Sequence, residues 1–91
     1  MSSKRLIIAG EVQGVGYRAW VADMATDLGI AGWVRNRTDG TVEVLLSGVA
    51  DAVEEVARAC RRGPRLAQVT DITEAIAEPP AEPGFRVLPT A

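Results

Sequence analysis

The spacing of apolar residues changes several times along the chain, and each change marks an element. Leu6-Ile7-Ile8-Ala9 is a short β-branched run that predicts a buried strand, continuing towards Val12. Three glycines then fall within Gly10 to Gly16, the composition of a loop. From Tyr17 the period lengthens: Tyr17, Trp20 with Val21, Met24 and Leu28 form the stripe of an amphipathic helix, with Gly29 as its stop. Ala31 to Asn36 is apolar and suits a strand. Asn36-Arg37-Thr38-Asp39-Gly40 is a turn, and Thr41 to Ser47 resumes as the second strand of a hairpin, ended by Gly48. Val49, Val53, Val56 and Cys60 then share one face of a second helix, which Gly63-Pro64 terminates. Gln68 to Ile76 alternates loosely and predicts a further strand. Glu78 to Gly84 holds three prolines and must be an exposed loop, and Phe85 to Leu88 is a last short strand.

The order is β-α-β-β-α-β plus a C-terminal strand. Two helices on one face of an antiparallel sheet make a ferredoxin-like α/β sandwich of the α+β class. Surface scaling bounds the size: about 5,100 Å² folded against about 13,900 Å² unfolded, enough burial for one core. Residues 1–91 are therefore expected to be a single domain, too short for a six-stranded dinucleotide-binding fold.

Charge and composition narrow the chemistry. Ten basic against twelve acidic residues give −2, which argues against nucleic acid or an anionic membrane as partner. The chain has no histidine and one cysteine, Cys60. Ser-His and Cys-His nucleophile pairs, histidine metal sites, cysteine clusters and an internal disulfide are thereby excluded. No cofactor and no metal are expected. The only apolar run near the start is Leu6 to Ala9, too short for a signal sequence or a spanning helix, so the cytoplasm is the default location. A monomer is the default oligomeric state.

The segment Gly10 to Arg18 carries the candidate chemistry. A strand delivers the chain into a glycine-bearing loop that opens a helix, so successive backbone N–H groups can converge where the helix N-terminus adds positive potential. Gly14 and Gly16 allow the positive φ that a tight cradle needs. Arg18, in the first helical turn, can close it with two parallel hydrogen bonds to phosphate oxygens. Tyr17-Arg18 stands where a nucleotide P-loop requires Lys-Ser/Thr, and the spacing Gly14-x-Gly16-x-x-Ala19 is a weak dinucleotide pattern. Read without further context, the same glycines also fit an ordinary strand-to-helix turn with Arg18 solvated, and Asn36 fits a turn residue ahead of Asp39-Gly40.

The whole string Gly10-Glu11-Val12-Gln13-Gly14-Val15-Gly16-Tyr17-Arg18 resembles the signature of the acylphosphatase family, in which Phe or Tyr precedes the arginine. A second block, Gly32-Trp33-Val34-Arg35-Asn36 followed by Asp39-Gly40-Thr41-Val42-Glu43, is also similar to that family. The likeness runs from about Lys4 to Leu88, and the proline-rich loop matches no motif in it. It implies a ferredoxin-like fold and hydrolysis of the carboxyl–phosphate bond of acyl phosphates to carboxylate and inorganic phosphate. With no cluster of metal ligands and Arg18 to carry the electrostatic role, turnover is expected to be metal-independent, and a loop that recognises the phosphoryl group makes the product phosphate an expected competitive inhibitor. The resemblance places the phosphate-binding loop on Gln13, Gly14, Val15, Gly16, Tyr17 and Arg18, the phosphate-binding arginine on Arg18, and the water-positioning asparagine on Asn36. It also implies that the substrate's own phosphate accepts the proton. The residues fit such a reaction. An acyl phosphate has a good leaving group, so positioning and charge stabilisation suffice.

The remaining conspicuous residues read as structural. Trp20 and Trp33 are packing residues, Cys60 is a small hydrophobe, Asp39-Gly40 is a hairpin turn, and Arg58, Arg61, Arg62 and Arg65 complement a helix end. Glu54 and Arg58 are spaced for a helical ion pair. Two rival functions are a non-catalytic phosphate-binding module of the same fold and an RNA-recognition sheet. The second needs aromatics on its central strands, where this chain has Leu6-Ile7-Ile8 and Val42-Glu43-Val44-Leu45.

Overall fold

A computed structural model describes all residues, Met1–Ala91. The elements are β1 (Ser2–Glu11), α1 (Tyr17–Asp27), β2 (Ala31–Asn36), β3 (Val42–Gly48), α2 (Ala50–Arg62), β4 (Gln68–Ile76) and β5 (Phe85–Val87). They form one five-stranded sheet in the order β4-β1-β3-β2-β5, a ferredoxin-like α+β sandwich. Alternation along the strands sets its two faces. Leu6, Ile8, Val34, Val42, Val44 and Leu46 point to the helical side and pack against Val21 and Ala25 of α1 and Val53, Val56 and Cys60 of α2. No helix is long and apolar enough to cross a membrane.

Two features depart from the sequence pattern. β1 begins at Ser2, ahead of the apolar run. Its polar start is held by charge. The Lys4 ammonium reaches Glu54 of α2 and Glu74 of β4, and Arg5 on the opposite face donates to Glu43 of β3 at 2.6 Å. Glu54 is thus engaged by β1 rather than by Arg58, and Arg61 also binds Glu74. The second departure concerns the sheet. β1 to β4 pair antiparallel as expected, but β5 lies parallel to β2, with Gly32 opposite Phe85 and Val34 opposite Val87. The sheet is therefore mixed, not wholly antiparallel. β4 runs antiparallel to β1 and finishes where β1 and β2 begin. A chain leaving that end to reach the far edge must enter β5 in the direction of β2.

The open face of the sheet buries one carboxylate. Glu43 is 4% exposed and accepts from Arg5 and Arg35, with Arg37 at 3.7 Å. Burial alone would raise its pKa, but the two arginine hydrogen bonds prevail and hold it below the ordinary carboxylate value. Arg35 also stacks on Trp33 at 4.7 Å, so Trp33 serves as packing on this face.

Candidate active site

The end of the sheet opposite the β4–β5 connection gathers the end of β1, the end of β2, the end of β5 and the start of α1. A pocket of about 260 Å³ opens there, lined by Val12, Gly14, Gly16, Tyr17, Arg18, Ala19, Asn36 and Val87.

Local geometry explains how α1 faces it. Gly14 and Gly16 have φ of +75° and +80°, and a Cβ at either would meet no heavy atom within 4 Å. Glycine is there for backbone conformation, not for space. Gly16 is the N-cap of α1 in a left-handed conformation and supplies no capping side chain, and the first turn carries no acid. The first bond of the helix runs from the Trp20 N–H to the Gly16 carbonyl at 3.1 Å. The N–H groups from Gly14 through Ala19 donate to no protein acceptor. They are the unpaired donors of a helix start, joined by those of the loop before it. Arg18 reaches the same pocket and has no carboxylate partner.

Tyr17 fixes the direction of α1. Its ring is buried, meets Trp20 edge-on at 5.5 Å, and its hydroxyl donates to the Cys60 carbonyl at 2.6 Å, tying the start of α1 to the end of α2. Burial pushes the Tyr17 hydroxyl pKa up, and burial pushes the Cys60 thiol up to about 12. Cys60 is therefore a protonated packing residue rather than a nucleophile.

Asn36 ends β2 on the helical side of the sheet, the side of Val34. Its backbone carbonyl accepts from the Ala91 N–H at 3.0 Å, and Thr38 N–H donates to the Ala91 carbonyl at 2.9 Å. Leu88 N–H donates to the Val34 carbonyl at 2.9 Å. The chain after β5 thus braces the asparagine-bearing segment along its outer edge. The turn beyond is closed by Asp39, whose Oδ1 accepts from the Thr41 N–H and hydroxyl at 3.0 and 2.6 Å.

Of the residues expected to bind phosphate, Gly14, Gly16, Tyr17 and Arg18 line one pocket, and Asn36, expected to position the water, lines it with them. The side chains of Gln13 and Val15 go elsewhere. Val15 packs against the core, and Gln13 Nε2 donates to the carbonyls of Arg37 and Thr41 at 2.8 and 2.9 Å. Val12, Ala19 and Val87 also line the pocket without having been singled out from the sequence. Val12 and Ala19 flank the loop and could have been included on position alone. Nothing short of the parallel pairing of β5 with β2 brings Val87 there.

Fold and site together define an α+β sandwich with an uncapped helix start open to an anion. The Acylphosphatase family model matches residues 4–87. An acylphosphatase of Acidiphilium cryptum is 65% identical over 93% of this chain and 93% of its own length. That of Azorhizobium caulinodans is 57% identical over 93% and 92% respectively. The crystal structure of the Bacillus subtilis acylphosphatase superposes with a TM-score of 0.90 at 36% identity, covering 97% of this chain and 99% of that one. The chain belongs to the acylphosphatase family.

Proposed function

We propose that the protein hydrolyses acyl phosphates at the pocket between α1 and β2, with the N–H groups of the Gln13–Arg18 loop and the Arg18 guanidinium holding the phosphoryl oxygens. Asn36 orients the attacking water. The water oxygen forms a bond to phosphorus as the bond from phosphorus to the carboxyl oxygen breaks. The bonding pair leaves with the carboxylate. A proton of the water passes to a phosphoryl oxygen, which balances the step and needs no histidine. Charge leaves with the carboxyl oxygen, while fixed donors neutralise the phosphoryl oxygens so that the water can approach phosphorus, which is the electrostatic contribution to rate. One observation carries this reading: Arg18, Asn36 and a run of unpaired N–H groups, delivered by separate elements, line a single pocket.

Activity of the protein as a cytoplasmic monomer of one domain, with inorganic phosphate as a competitive inhibitor, completes the proposal. No carboxylate, histidine or cysteine lines the pocket, and no three such residues cluster anywhere in the chain. Hydrolysis of benzoyl phosphate should proceed unchanged with a chelator present, and a phosphate monoester should be a far poorer substrate. Phosphate binding without turnover of any acyl phosphate would favour the non-catalytic module instead.

A further inference from the structure

We propose that Gln13 is a positioning residue whose side chain sets the distance between the phosphate-holding loop and Asn36. The inference rests on the functional reading above and adds a residue to it. β1 and β2 are not neighbours in the sheet, because β3 lies between them. At the pocket end β3 begins only at Val42, so no strand ladder joins the loop after β1 to the turn after β2. Two strand spacings, roughly 9–10 Å, must be bridged there. Gln13 bridges them. An amide has two N–H donors, and Gln13 gives Arg37 and Thr41 bonds of 2.8 and 2.9 Å. These are the two ends of the hairpin turn, already joined by Arg37 N–H to the Thr41 carbonyl at 2.9 Å. Arg37 immediately follows Asn36. Gln13 is therefore the hydrogen-bonded link between the loop that grips the phosphoryl group and the strand end that holds the water. In-line attack needs the reacting atoms about 3–3.5 Å apart, and an error of about 1 Å costs up to 10²-fold.

Gln13→Met keeps the length and removes both donors, while Gln13→Glu turns an acceptor towards two carbonyls. Each is measured for kcat with benzoyl phosphate, Ki for inorganic phosphate and thermal melting, alone and combined with Asn36→Ala. Both single variants should lose about ten- to a hundredfold in kcat with phosphate Ki within about twofold of wild type, since the loop still grips phosphate. Combined with Asn36→Ala, neither should slow turnover further, because Gln13 acts through Asn36. A Ki that rises as far as kcat falls would make the Gln13 side chain a phosphate ligand and overturn the proposal. So would wild-type kcat in a folded Gln13→Glu, or losses that multiply in the double variants. Wild-type kcat in Asn36→Ala alone would overturn the assignment of Asn36, and this inference with it. The Gln13 outcomes leave that assignment standing, so the two failures are distinguishable.

Discussion

The two helices start differently. α2 takes Asp51 into its first turn and Arg61 and Arg62 into its last, so its own side chains answer its dipole. α1 has no acid in its first turn, no base in its last, and a left-handed glycine as N-cap. Both belong to the same core. α2 is arranged for stability. α1 leaves its positive end unanswered, facing a pocket, with an arginine of the same sign beside it. A cost of this kind, accepted at one helix and avoided at the other, distinguishes a binding element from a supporting one.

The contrast can be tested by substitutions of decreasing effect. Arg18→Ala removes the side-chain charge that supplements the uncapped N–H groups. Turnover should fall about 10²–10³-fold, the range for losing one donor to transition-state charge, and phosphate Ki should rise with it. Unchanged phosphate inhibition in this variant would place the anion elsewhere. Asn36→Ala faces the same helix start but is assigned to the water. Here kcat should drop by about 10² while Ki holds, read on one purified preparation. A rise in Ki with kcat preserved would move Asn36 to phosphate binding.

Ala19→Asp would make α1 resemble α2. Its carboxylate would occupy the helix start, so phosphate should bind at least about tenfold more weakly. The melting temperature should hold or rise, because an acid there is worth about 0.3–1 kcal/mol to the helix. Tight phosphate binding in Ala19→Asp would mean the N–H groups are not the site. The mildest change runs the other way. Asp51→Ala should cost α2 about 0.3–1 kcal/mol in denaturant melts and leave kcat untouched.

The sequence carried the elements well where local signals were strong. α1 stops at Gly29 because the Gly29 and Ile30 N–H groups return to the carbonyls of Thr26 and Ala25, the closed helix end that glycine favours. β4 occupies the span its alternation predicted, Gln68–Ile76. What escaped was decided by partners distant in sequence. Ser2 to Arg5 lie outside the apolar run that predicts the strand, and only Glu43, Glu54 and Glu74, arriving from other elements, draw Lys4 and Arg5 into it. The direction of β5 depends on where β4 ends. For the candidate site, Gly14, Gly16, Arg18 and Asn36 were conspicuous because backbone conformation and charge are local properties. The bonds made by Gln13 were not, since a glutamine beside a glycine looks the same whether it faces a ligand or a turn.

The parallel strand β5 has a consequence for the stability of function as distinct from that of the fold. Phe85–Val87 is three residues long, and with the segment to Ala91 it is bonded to β2 on one side only. Short, one-sided strips open at lower free energy than the central strands of the same protein. Yet this strip supplies Val87 to the pocket and fixes the backbone of Asn36 through Ala91. The unit that must stay closed for turnover therefore includes the least secured edge of the sheet. Activity should therefore be lost by peeling of that edge at a gentler perturbation than the one that dissolves the core, which activity and melting followed along one denaturant series would show.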